Sequence, residues 1–175
     1  DRVMVRPDWV EYYMNIAIAV RARANCIGNR VGAILVQNGH IISTGYNGTP
    51  HGTKNCTDGG CHRCTHRKDY ESGKDYDLCI CVHAEQNTLL SAARFGISTD
   101  GAVLYSTMQP CFGCTKELLQ AQVRSVYYLH PWVYPDPLRQ NAYEDLITKF
   151  PDGISKVEIL DPNSAWAVSS LRSKK

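Results

Sequence analysis

"HAEQNTLLSAARFGISTDGAVLYSTMQPCFGCTKELLQAQVRSVYYLH", residues 83–130, reads as helix, strand, helix, strand. Leu89, Leu90 and Ala93 recur at helical spacing, and Gly96 is suited to stop the first helix. The run 101–107 is apolar and β-branched enough for a buried strand. "PC" at 110–111 opens a second helix over 112–122, and 123–130 forms a second strand. Two strands joined by a crossover helix run parallel, so this segment predicts a layered α/β domain.

The flanks extend the pattern. Residues 8–23 carry apolar side chains at Val10, Tyr13, Met14, Ala17 and Ile18, with Asp8 as a cap after Pro7; Arg21 interrupts that face. Two β-rich runs, 31–36 and 41–46, surround Asn38-Gly39, a strong hairpin signal. A helix over 136–150, a strand over 155–160 and a short helix over 161–171 complete the chain. Between hairpin and second helix lies a polar, cysteine-rich stretch, about 47–81. A loop of that length inside a compact domain needs a function or an internal staple.

With 175 residues the chain fits one domain, 1–175, containing this insert. A net charge of +2 and the absence of a basic stripe argue against a nucleic-acid channel, and no apolar run is long enough to span a membrane. Nothing resembles a signal peptide. The first residue is Asp1 rather than methionine, so the sequence reads as trimmed at its amino terminus. A cytoplasmic location is expected.

The eight cysteines stand close to histidines as C-x-x-C and C-x-C, which favours metal in a reducing compartment over disulfides. Cys111 and Cys114, at i and i+3, share the first turn of a helix, where the dipole favours thiolates. His83 opens another helix. One nitrogen and two sulfurs leave a tetrahedral zinc with an open corner, the pattern of a catalytic site.

Glu85 needs a separate argument. Residues two apart in mid-helix diverge by about 200°. At a helix start, however, a long glutamate reaches past the end of the axis toward the ligand two residues earlier. The geometry requires the helix to begin near Val82. Glu85 then takes a proton from water activated by zinc and passes it on. H-x-E followed by P-C-x-x-C is the signature of zinc deaminases acting on cytosine or adenine rings, whereas the H-E-x-x-H of zinc proteases is absent.

"RPDWVEYYM", "RVGAILV", "GYNGTPHGTKNC", "GGCHRC", "LCICVHAEQNTLL", "PCFGC" and "VYYLHPWVYPD" occur in the order seen in deoxycytidylate (dCMP) deaminases. The chain resembles that family, especially its fungal-like branch, from about residue 2 to 160. The resemblance implies the three-layer cytidine deaminase-like fold, a mixed five-stranded sheet flanked by helices. It implies hydrolysis of dCMP to dUMP and ammonia, supplying thymidylate synthesis. Members are usually homo-oligomers, often hexamers, activated by dCTP with Mg2+ and inhibited by dTTP.

By the same resemblance, His83, Cys111 and Cys114 are zinc ligands and Glu85 the proton shuttle. The backbone around Ala84 and Ser106 holds the pyrimidine edge, Asn47 contacts sugar and base, and Tyr134 lies near sugar and phosphate. Arg23 and Arg30 take phosphate or effector, although Ala24 replaces a serine usual beside Arg23. Gln86 and Thr88 depart from the usual helix motif and read as packing changes.

The insert offers Cys56, Cys61, Cys64, Cys79 and Cys81 to a second, structural Zn2+, with His51, His62 and His66 in reserve. Metal would order a polar stretch that has little apolar surface to bury. The preferred set is Cys56, Cys61, Cys64 and Cys79; Cys61, Cys64, Cys79 and Cys81 is the alternative. Competing functions are deamination of dCTP, editing of RNA or single-stranded DNA, and a non-catalytic zinc-binding nucleotide sensor.

Overall fold

Strand alternation makes the layers. In β1 (Gly32–Gln37), Ile34 and Val36 point to one face of the sheet, while Ala33 and Leu35 point to the other. On the first face lies α1 (Trp9–Arg21), whose Tyr13, Met14, Ala17 and Ile18 pack with Tyr105, Leu129 and Val157. The second face buries Leu104, Leu118, Val123, Val126 and Phe150 against α3 (Ala84–Arg94) and α4 (Phe112–Gln120). These helices and their sheet are described for residues 5–71 and 75–167 of a computed structural model.

β1 pairs antiparallel with β2 (His40–Tyr46) through a two-residue turn, where Asn38 and Gly39 adopt the positive φ values such a turn requires. β1 also pairs antiparallel with β3 (Val103–Met108). β4 (Ser125–His130) and β5 (Ile154–Lys156) then continue in parallel. The order is β2-β1-β3-β4-β5, a mixed five-stranded sheet with α5 (Pro137–Ile147) following β4.

Asp8 caps α1 as its sequence suggests, accepting from the Glu11 N–H at 2.8 Å. Arg21 lies on the buried face of that helix after all. Its guanidinium is fully enclosed and paired with Asp161.

Three elements differ from expectation. The last strand is confined to 154–156: Val157 still donates to the Tyr128 carbonyl and Ile159 packs against the core, but Glu158 and Leu160 are exposed and the ladder stops. The short final helix reduces to a 3-10 turn, Ser164–Ala167; residues 168–171 lie outside the described region, as does the basic tail. The polar insert contains 3-10 turns and one turn of helix, α2 (His62–Thr65), around a cluster of cysteines. No helix among the described residues is long and apolar enough to cross a membrane.

Candidate active site

Two helix beginnings meet beside Ser106 of β3. α3 starts at Ala84 with His83 in extended conformation as its cap, so Glu85 occupies the first turn and the condition for convergence is met. Gln86 accepts from the His83 N–H at 2.9 Å, the backward half of a capping box. This side chain therefore fixes the residue that carries the imidazole, rather than merely packing. Serine or threonine usually marks such a box, which hid the signal when His83 occupied the cap. Thr88 is buried and bonds the Glu85 carbonyl at 2.6 Å, while its own carbonyl accepts from Ser43 of β2. The close approach of β2 and α3 depends on Gly45: a Cβ there would stand 2.3 Å from the Ala84 carbonyl oxygen.

α4 starts one residue after Cys111, whose sulfur accepts from the Cys114 N–H at 3.5 Å. Nδ1 of His83 lies 3.5 Å from Sγ of Cys111 and 3.3 Å from Sγ of Cys114. Zinc bonds of about 2.0–2.1 Å to nitrogen and about 2.3 Å to sulfur put tetrahedral N and S neighbours roughly 3.5 Å apart. The three donors fit that ion without rearrangement. Glu85 completes the constellation: Oε2 is 3.8 Å from the Cys114 sulfur, and Oε1 is 3.4 Å from the Ser106 hydroxyl that donates to it.

The electrostatics follow from burial and proximity. Burial pushes the Glu85 carboxyl above its ordinary range, opposed by the charge of His83. Hydrogen bonding from Cys114, then from His83, pulls the Cys111 thiol down to about 4, and the hydrogen bond to Cys111 raises His83 to about 9. The protein groups alone thus resemble a thiolate beside an imidazolium. A divalent cation binding among them displaces those protons.

The other candidate residues divide. Ala84 and Ser106 are wholly buried beside Glu85. Asn47 is brought near the entry to α3 by the Gly48–Val82 bridge, but its amide is already engaged, accepting from Val31 N–H and donating to the Asn29 carbonyl at 2.8 Å each. The Tyr134 hydroxyl accepts from Phe112 N–H at 3.0 Å, at the first turn of α4, and its ring meets Trp132 and Tyr143 edge-on. Phe112, Tyr134, Arg139 and Ala142 line an open cleft there. Arg139 has no distinctive sequence motif and was not among the sequence-based candidates. Arg23 is exposed after α1, and Arg30 lies over the Trp166 ring at 5.3 Å.

All eight cysteines are free. The preferred set for a structural zinc is divided between two groups, of which the second is the alternative set brought together intact. One comprises Cys26, Cys56, Cys64 and Cys81; the other Cys61, Cys64, Cys79 and Cys81, with the sulfurs of each group all within 4.8 Å of one another. Cys26 has no neighbouring cysteine in sequence, and only its position in the fold associates it with the insert. The insert histidines stand apart from these groups: His62 and His66 stack at 4.0 Å, and His51 is exposed.

Comparison with known proteins identifies this architecture. Residues 7–130 match the family model for the cytidine and deoxycytidylate deaminase zinc-binding region. The deoxycytidylate deaminase of Schizosaccharomyces pombe is 42% identical over 123 residues, covering 70% of this chain and 37% of that protein. The Saccharomyces cerevisiae deoxycytidylate deaminase is 39% identical over 125 residues, covering 71% and 38%. The chain therefore spans little more than a third of the length of these two relatives. The dCMP deaminase of cyanophage S-TIM5, solved in complex with dCMP and dUMP, superposes with a TM-score of 0.65 at 32% identity, covering 88% of this chain and all of that one. The chain belongs to the cytidine and deoxycytidylate deaminase family, sharing its zinc-binding region and mixed five-stranded fold.

Proposed function

We propose that this chain hydrolyses dCMP to dUMP and ammonia, providing dUMP for thymidylate synthesis. The observation that carries the reading is the convergence of the buried Glu85 carboxylate on the His83, Cys111 and Cys114 donors at two helix beginnings. It is supported by relatives named deoxycytidylate deaminases and by the relative solved with dCMP and dUMP.

His83, Cys111 and Cys114 would hold the zinc ion. Zinc so held would lower the pKa of a water to about 7 and so supply a competent nucleophile. Glu85 accepts one proton from the attacking water and delivers it to the ring nitrogen, then carries the water's second proton from the new hydroxyl to the amine, which leaves as ammonia as the C–N bond breaks. Ser106 holds Glu85 in position by donating to Oε1, and burial excludes competing solvent from its carboxylate. The backbone at Ala84 and Ser106 receives the pyrimidine edge, with Asn47 and Tyr134 toward the sugar and phosphate. Arg23 and Arg30 serve phosphate or effector. The insert cysteines take structural zinc. Activation by dCTP with Mg2+, inhibition by dTTP and assembly into homo-oligomers complete the proposal.

The test is ammonia release from deoxycytidine, dCMP and dCTP, with dCTP–Mg2+ also supplied as effector to the first two. The expected result is turnover of dCMP, increased by the effector. Preference for dCTP would move the phosphate assignments. No release from any of the three, with zinc bound, would overturn the reading in favour of a nucleotide-sensing module.

A further inference from the structure

Six cysteines remain once Cys111 and Cys114 are assigned, and their sulfurs form one continuous cluster at the base of the insert. The two quartets overlap: Cys64 and Cys81 belong to both, while Cys26 and Cys56 are confined to one and Cys61 and Cys79 to the other. Two separate tetrahedral ions would require eight sulfurs. Six sulfurs suffice if two are each shared between the ions. We infer that Cys26, Cys56, Cys61, Cys64, Cys79 and Cys81 hold a binuclear zinc–thiolate cluster, with Cys64 and Cys81 bridging the two ions.

Distances and local structure support two ions rather than one. Tetrahedral Zn–S bonds of about 2.3 Å set neighbouring sulfurs about 3.8 Å apart. Cys64 and Cys79 are separated by 3.7 Å, and Cys61 and Cys79 by 3.9 Å. A single ion in either quartet would leave the two sulfurs confined to the other without an ion, although each lies within 4.8 Å of both Cys64 and Cys81. The backbone supplies N–H groups to the terminal sulfurs as thiolates require: Gly28 to Cys26 at 3.3 Å, Ile27 to Cys56, and Cys64 and Ile80 to Cys61.

The carriers of the sulfurs are themselves tied together. Asn25, beside Cys26, accepts through Oδ1 from Cys56 N–H at 3.2 Å and Thr49 N–H at 3.3 Å, while its carbonyl accepts from Thr57. Val82, beside Cys81, bridges Gly48. Between Cys56 and Cys61 the chain doubles back so tightly that a Cβ on Gly60 would lie 1.8 Å from the Lys54 carbonyl oxygen. Six thiolates with two divalent ions carry two net negative charges. Arg67 partly offsets them: its Nη2 and the Cys26 sulfur lie 2.6 and 3.4 Å from the point where a Gly28 Cβ would stand.

The test uses the wild-type chain and does not depend on turnover. Zinc analysis of the purified protein is expected to give three ions per chain, including the one at His83. Exchange for 113Cd should give three resonances, two of them split by mutual coupling through the shared sulfurs and one uncoupled. Cys64→Ser should reduce the splitting to what the Cys81 sulfur alone transmits, and Cys64→Ser with Cys81→Ser should abolish it. Two zinc ions per chain would overturn the binuclear assignment and restore a single structural ion, and three cadmium resonances without mutual splitting would overturn the shared sulfurs. Because the readouts are metal number and coupling, a failure here leaves the deaminase reading intact, and an inactive protein with a coupled pair leaves this inference intact.

Discussion

Arg21 and Asp161 meet through two hydrogen bonds of 2.7 Å each, 140 residues apart in sequence, with their side chains 0% and 4% exposed. Arg21 ends α1, and Asp161 follows the last strand, so the pair fastens the end of the fold onto the face of the sheet that carries α1. His130, at the end of β4, reaches the second carboxylate oxygen at 2.7 Å.

Removing one partner strands a buried charge. Asp161→Asn is expected to destabilise the fold by about 3–5 kcal/mol, measured by urea denaturation at neutral pH. The sign of the pH effect follows from the pair: Arg21 first, opposed by burial, holds the Asp161 carboxyl well below its usual range. The stabilisation is therefore fully present above the unfolded carboxyl pKa of about 3.9 and is lost as pH falls from there toward the lowered native value. Denaturation midpoints of the variant should lack the part of the acid slope that Asp161 contributes to the wild type.

Glu85→Gln keeps the shape of the side chain and removes its capacity to carry a proton. Zinc content should stay at the wild-type level, while dCMP turnover falls by roughly 100- to 10,000-fold, the usual contribution of a general acid–base group. Parallel metal analysis and ammonia assays check both halves. Near-wild-type turnover would dismiss Glu85 as the shuttle.

Gly45→Ala tests the contact that positions α3. Its Cβ would meet the Ala84 carbonyl oxygen at 2.3 Å and Thr88 N at 2.7 Å, both backbone atoms, so the first turn of the helix must move. Overpacking of this kind costs about 1–3 kcal/mol. Because His83 and Glu85 ride on that turn, kcat/KM for dCMP is expected to fall together with the thermal midpoint.

Tyr134→Phe separates support of α4 from contact with substrate. The hydroxyl accepts from Phe112 N–H next to Cys111, and its loss leaves that donor without the partner, at a cost of about 1 kcal/mol. If helix support dominates, competition with a chelator will show weaker zinc retention, while KM changes little. A raised KM with zinc retention unchanged would place the hydroxyl at the nucleotide instead.

Much of this molecule is local and was readable from its residues. Asp8, Asn38-Gly39 and Pro137 set element boundaries through the backbone within a few residues of themselves. His83, Glu85, Cys111 and Cys114 lie at two helix starts, so their spacing carries their chemistry. The cysteine-rich insert announced metal by composition, and its C-x-x-C and C-x-C spacing offered the Cys61, Cys64, Cys79 and Cys81 group, but the group containing Cys26 was not contained in the spacing. Cys26 joins Cys56 and Cys81 because Asn25 and the Gly48–Val82 bridge fold three distant segments together. Arg21 looked like an interruption of an apolar face, and only Asp161, arriving from the far end of the chain, makes its burial possible. Sequence by itself determined the elements, the α/β class and the donors at the two helix starts, since those depend on short-range sterics, capping and periodicity. Only tertiary structure decided which cysteines share an ion's reach and which charges neutralise one another, because coordination and Coulomb attraction depend on separation in space.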